Sequence, residues 1–134
     1  MTGVPTVTVR AIERKMNSLS VNLVGHMTLK ESAALLAAAD LLIAPDTGPV
    51  HIANALGTTV IGLYAASNRQ CTGPYNALPW CVDCYAEAAQ KFKGQSSNTL
   101  RWGTRINNPG VMELISVAAA IDKLSKWQAE YARS

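Results

Sequence analysis

At 134 residues the chain is long enough for one hydrophobic core and too short for two ordinary domains. Its 49% hydrophobic and 16% charged residues mark a folded protein and exclude a disordered one. A net charge of +3, from 12 Lys and Arg against 9 Asp and Glu, suits a small anionic partner and is too weak to argue for nucleic acid. The longest nearly apolar stretch, Ala33 to Ala44, is interrupted by Asp40 and falls short of the ~18 residues of a membrane span. Met1-Thr2-Gly3-Val4-Pro5 carries no basic-then-apolar leader, so the expected location is cytoplasmic.

In chain order, Val9, Ile12 and Met16 recur at helical spacing among Arg10, Glu13, Arg14 and Lys15, which predicts a surface helix over Thr6 to Met16. Ser20 to Val24 alternates and stops at Gly25, predicting a short strand. Thr28-Leu29-Lys30-Glu31 is a capping box for an Ala- and Leu-rich helix running through Ala38. Leu41 to Ala44 is uninterruptedly apolar and predicts a buried strand. A helix follows from Pro49 to Leu56, closed by Gly57, and then a strand over Thr59 to Tyr64. Residues 65–84 read as one long loop, with Gly73-Pro74-Tyr75 and Leu78-Pro79-Trp80, of the kind used for function or docking. Between Glu87 and Glu113 there are no acids, while Lys91, Lys93, Arg101 and Arg105 occur. This is read as a solvated loop face, with contact to an anionic partner as the alternative. Ser116 caps a last helix, Val117 to Tyr131, with Ile121, Leu124 and Trp127 on one face.

The alternation of strands and helices predicts an α/β fold, a Rossmann-like parallel sheet with flanking helices. Three strands are few for such a sheet, and the chain opens on a helix, so it reads as one domain over residues 1–134 that is part of a larger protein. A sheet edge left bare in this way is expected to be covered by a partner, a homodimer being the simplest.

The most informative segment joins the first buried strand to its helix: Asp46-Thr47-Gly48-Pro49-Val50-His51. A helix start exposes unpaired N–H groups at the positive end of the helix dipole, and both favour an anion. Thr47 adds a hydroxyl, and Gly48 lets a ligand approach the backbone closely. A phosphate-binding turn is the functional reading; an ordinary Asp/Thr helix cap is the plain one. The segment is neither a dinucleotide fingerprint nor a P-loop.

Cys81-Val82-Asp83-Cys84 has the spacing of zinc and redox sites, and Cys71 is the third cysteine. A fourth zinc ligand would have to come from His26 or His51, and no second Cys pair exists. Reduced thiols without metal are the preferred reading, and a zinc-stabilised interaction module on Cys71, Cys81 and Cys84 is the alternative.

The element Asp46-Thr47-Gly48-Pro49-x-His51, preceded by ALLAAADLLIAP and followed by ALGTTVIGLYAASNRQCTGPY, strongly resembles the lipopolysaccharide heptosyltransferases of glycosyltransferase family 9. The stretch RWGTRINNPGVMELISV is similar too. The resemblance implies part of the C-terminal, nucleotide-sugar-binding half of a GT-B enzyme. It places the donor's diphosphate on Thr47, Gly48 and the amide of Val50, since Pro49 has no N–H to give. Asp46 matches an aspartate that contacts the donor sugar or orders the turn. His51 matches a histidine that bonds the loop or approaches the phosphates, and Met27 a position that packs on the adenine, where a thioether suits an aromatic face.

The implied reaction is inverting transfer of a heptose or similar sugar from an ADP-linked donor to a lipopolysaccharide core acceptor. No metal or other cofactor is called for. The resemblance also implies an acceptor domain supplying an acidic general base, and strands carrying a lysine and hydroxyls toward the phosphates. None of these has a counterpart here, and a glycine expected after the last strand is Ala65. Turnover by this chain alone is therefore not expected, and a non-catalytic nucleotide-binding or oligomerisation module is the competing function. A lipopolysaccharide acceptor extends the cytoplasmic expectation to a peripheral position at the inner face of the bacterial inner membrane.

Overall fold

A computed structural model describes residues 6–73 and 78–133. The leader reading at Met1–Pro5 and the Pro74-Tyr75 part of the loop lie outside them. The chain falls into two compact units, Met1–Leu35 and Leu36–Ser134.

In the first unit, helix α1 spans Thr6–Lys15, as its spacing predicts. The strand expected at residues 20–24 does not form. Alternation makes a strand only where a neighbour takes the ladder hydrogen bonds, and here local bonds take them instead. Asn22 Oδ1 accepts from the Val24 N–H at 3.1 Å, the His26 N–H donates to the Leu23 carbonyl at 3.1 Å, and Gly25 turns the chain at φ 77°. Leu19 and Val21 stay in solvent. Helix α2, Leu29–Ala38, starts in this unit on the expected capping box, and its last residues, from Leu36, belong to the second. The Thr28 N–H donates to Glu31 Oε2 at 2.8 Å, and the Glu31 N–H donates to Thr28 Oγ1 at 3.2 Å.

The second unit is built on a parallel sheet in the order β1–β2–β3. Strands β1 (Leu41–Pro45) and β2 (Thr59–Tyr64) fall where the apolar runs put them, with Leu41 opposite Thr59 and Pro45 opposite Leu63. Helix α3, Gly48–Ala55, crosses between them with Pro49 in its first turn and ends before Gly57 at φ 83°. Thr58, 8% exposed, ties this corner down through a 2.6 Å bond from its Oγ1 to the Leu36 carbonyl.

Strand β1 is not buried on both faces, contrary to expectation: Ile43 is 47% exposed. As the edge of the sheet it is covered on one side only, and its terminal Pro45 is of the kind an edge tolerates. Central β2 carries the burial instead, with Val60, Ile61 and Tyr64 fully enclosed.

Residues 65–84 are not one loop. They contain helix α4 (Arg69–Thr72) and a two-residue strand β3 (Val82–Asp83), which pairs with Leu63 and Tyr64 of β2. Nor is the acid-free stretch only a solvated face. Helix α5, Tyr85–Ala88, runs on into a π-helical turn, Ala89–Lys93. Tyr85, Ala88 and Ala89 pack with Ala65, Ile106 and Val111 as one core cluster. Small side chains hid this element from a reading based on large apolar residues. A second cluster joins Val50 and Ala53 of α3 to Val60 of β2.

Helix α6, Val117–Tyr131, matches its predicted span, and Ser116 Oγ accepts from the Ala119 N–H at 3.0 Å. Its apolar face is shifted from expectation. Leu124 and Trp127 are half-buried but Ile121 is 54% exposed, while Trp127 stacks on Tyr131, whose hydroxyl donates to Asp40 Oδ1 at 3.0 Å.

Candidate functional site at the carboxyl end of the sheet

A parallel sheet brings the carboxyl ends of its strands together, and ligands of open α/β sheets bind outside those ends. Here that end carries Asp46 and Thr47 after β1, Ala65 to Asn68 after β2, and Asp83 closing β3. Asp46 is the centre of the arrangement. Its side chain is only 10% exposed, and its Oδ2 accepts from Ser67 Oγ at 2.8 Å, Thr72 Oγ1 at 2.9 Å and Arg105 Nη1 at 3.1 Å. His51 Nε2 lies 3.4 Å from the other oxygen, Oδ1, with its ring 54% exposed. Burial pushes the Asp46 carboxyl up, but the two hydroxyls and the Arg105 guanidinium outweigh it and hold its pKa below the ordinary 3.8. The group is a carboxylate at neutral pH.

Each partner is fixed by its own element. Ser67, 3% exposed, lies three residues past the end of β2. Thr72 ends α4, where its carbonyl accepts from the hydroxyl of buried Tyr64 at 3.4 Å. Burial raises the Tyr64 pKa well above that of a free phenol, so this hydroxyl remains a donor. Arg105 is held by its neighbours. The Thr104 carbonyl accepts from buried Tyr85 Oη at 2.7 Å, and the N–H of fully buried Ile106 donates to the Ala66 carbonyl at 2.8 Å.

The turn itself is open. Thr47 is the N-cap of α3, in extended conformation, but its hydroxyl donates back to the Pro45 carbonyl at 3.2 Å and caps no helix N–H. The Val50 N–H donates to the Thr47 carbonyl at 3.1 Å, and the Val50 side chain is fully buried in the core. A Cβ built on Gly48 meets nothing within 4 Å, and its φ is not positive, so nothing in the chain itself demands glycine there.

Of the residues singled out from sequence, Asp46, Thr47, Gly48, Val50 and His51 stand together at this turn. Met27 belongs to the first unit. Ser67, Thr72 and Arg105 were missed as partners of Asp46. The available signals were the position of Ser67 just past a strand end and the place of Arg105 in the acid-free stretch.

The cysteines do not assemble. Among the described residues no three His, Cys, Asp or Glu side chains converge to hold a metal ion. Cys81 and Cys84 flank β3 as reduced thiols, and burial pushes both up, away from the thiolate that metal or redox chemistry uses. Among the described residues no helix is long and apolar enough to cross a membrane.

Residues 5–101 match the family model for glycosyltransferase family 9 (heptosyltransferase), which includes the whole turn from β1 to α3. The chain is 43% identical over 105 residues to the lipopolysaccharide core heptosyltransferase OpsX of Haemophilus influenzae. That alignment covers 78% of this chain and 30% of the relative, so the chain spans about a third of that protein's length. No solved structure matches it. The chain belongs to glycosyltransferase family 9, the heptosyltransferases.

Proposed function

We propose that this chain forms the donor-binding part of a heptosyltransferase, with the diphosphate of an ADP-linked sugar seated on the turn between β1 and α3. The observation that carries the reading is the open start of α3 beside a carboxylate whose cationic and hydroxyl partners line the same end of the sheet. The positive end of the helix dipole and the amide of Gly48 favour an anion there, Pro49 having no N–H and the Val50 N–H being taken by the Thr47 carbonyl. Asp46 is itself an anion and would repel phosphate, so its part is to hold the turn. Oδ2 is filled by three donors, and Oδ1, which has His51 Nε2 3.4 Å away, is the oxygen assigned to a hydroxyl of the donor sugar.

In the reaction this reading implies, a heptose passes from ADP-heptose to a lipopolysaccharide core acceptor. The nucleoside diphosphate leaves as the acceptor hydroxyl attacks the anomeric carbon. Negative charge grows on the leaving oxygen, and donors already aimed at that point lower the barrier without reorganising. The residues here supply that stabilisation. The acceptor and the base that activates it are assigned to the remainder of a full-length enzyme.

Calorimetry with ADP and AMP tests the reading, and ADP is expected to bind clearly more tightly. Equal affinities would mean that no diphosphate cradle exists at this turn. Gly48→Ala sharpens the test. The fold has room for the methyl group, so the melting temperature is expected to hold, while ADP binding weakens by about 1–2 kcal/mol because the methyl occupies the ligand's side of the turn. A variant that binds ADP like the parent would move the diphosphate elsewhere.

A further inference from the structure

We infer that Arg105 is a ligand-binding residue of this site, the guanidinium that receives the phosphates of a nucleoside diphosphate, and that Asp46 positions it for that task. The inference rests on the donor-binding reading above and assigns a role to a residue outside the matched stretch 5–101.

The first argument is the form of the ion pair. Arg–carboxylate pairs are frequently bidentate, the guanidinium fork making two parallel bonds. Here a single nitrogen, Nη1, meets a single oxygen, Oδ2, which two hydroxyls already share. Guanidinium carries five N–H donors, and those on Nε and Nη2 have no acceptor among the described residues. Half of the side chain is exposed.

The second argument is how the residue is held. Its backbone is pinned on both sides, at Thr104 by the Tyr85 hydroxyl and at Ile106 by the Ala66 carbonyl, with Tyr85 and Ile106 in the core. A surface arginine that merely solvates a loop needs no such anchoring. The pinned backbone fixes where the side chain starts, and the carboxylate at its tip removes part of the rotamer freedom that an arginine would otherwise lose on binding.

The third argument is charge. Asp46 lies at the head of α3 and would weaken the attraction of that helix start for an anion. Arg105 cancels that charge and, through its unused donors, turns the same spot toward phosphate. Among the other arginines and lysines of the acid-free stretch, none has a described bond to Asp46.

Ligand-observed NMR with ADP and adenosine tests the assignment, using the parent, Arg105→Ala, Arg105→Lys and the control Arg101→Ala. The parent is expected to prefer ADP. Arg105→Ala should weaken ADP about tenfold or more with adenosine unchanged, since the lost contact is to a charged group. Arg105→Lys should recover part of the loss, because it restores the charge but not the fork. Arg101→Ala should match the parent.

If the parent prefers ADP and Arg105→Ala keeps that preference, the assignment to Arg105 fails while the donor site stands. Equal weakening of ADP and adenosine, with a lowered melting temperature, would make the residue purely structural and also overturn the assignment. Loss of the preference in Arg101→Ala would reduce the effect to diffuse charge. A parent that binds both ligands equally would overturn the donor-site reading and this inference together.

Discussion

Replacing Asp46 with alanine is expected to remove donor binding and to lower the stability of the second unit by about 2–3 kcal/mol. Most of that cost comes from Ser67, a residue 3% exposed, whose hydroxyl would lose its acceptor in a place water does not easily reach. Arg105 is half exposed and rehydrates, so its pair with Asp46 adds little to stability. Asp46→Asn keeps an acceptor of the same size and should fall between alanine and the parent. Urea unfolding read by tryptophan fluorescence gives the difference, and a midpoint unchanged in Asp46→Ala would show that the carboxylate does not hold its loops together.

The same residue fixes the acid side of the stability curve. Its folded pKa lies below 3.8, so the unfolded chain takes up the proton first as pH falls. The stability it contributes is complete above its unfolded pKa and is lost as pH drops through the lowered folded value. Asp46→Asn should flatten the stability curve in that window and leave its slope near neutral pH unchanged.

Gly62→Ala is the second large effect, and it acts through packing alone. A methyl group on Gly62 would lie 2.5 Å from Tyr64 Cε2 and 3.1 Å from Cys81 Sγ. Both neighbours are buried, and the Tyr64 ring is fully enclosed with its hydroxyl bonded to the Thr72 carbonyl. The ring is enclosed and held at its hydroxyl, so relieving the contact takes a shift of the ring or of the strands around it. Overpacking of this kind costs about 1–3 kcal/mol, and Gly62→Val should cost more. Because Tyr64 leads through Thr72 to Asp46, ADP affinity should fall as well. Denaturant unfolding with an unchanged m-value would confirm a pure stability loss, and an alanine variant as stable as the parent would mean the ring moves freely.

What the sequence disclosed follows from the range of the forces involved. The capping box at Thr28 and Glu31, the Ser116 cap and the Pro49-to-Gly57 helix are local devices, complete within a few residues, and all three appear as read. β1 and β2 were legible because their apolar runs are bounded by turn residues. The failures are non-local. Residues 20–24 have a strand's alternation but no neighbour to pair with, whereas β3 has only two residues and exists because Tyr64 and Leu63 offer a ladder. Within the site, the turn at Asp46–His51 is visible in the sequence as a motif that resembles one family. The groups that complete it, Ser67, Thr72 and Arg105, come from loops with no periodicity, and only the folded sheet brings them to one carboxylate.

The three bonds to Asp46 Oδ2 close chain segments of 21, 26 and 59 residues. Each closure carries an entropic cost that rises slowly with length, and contacts so distant in sequence form late. Helix α3 and its turn are local and can form early, but the set of donors around them cannot. Regaining ligand binding after dilution from denaturant should therefore follow the slowest kinetic phase of the unit, behind the recovery of helical signal.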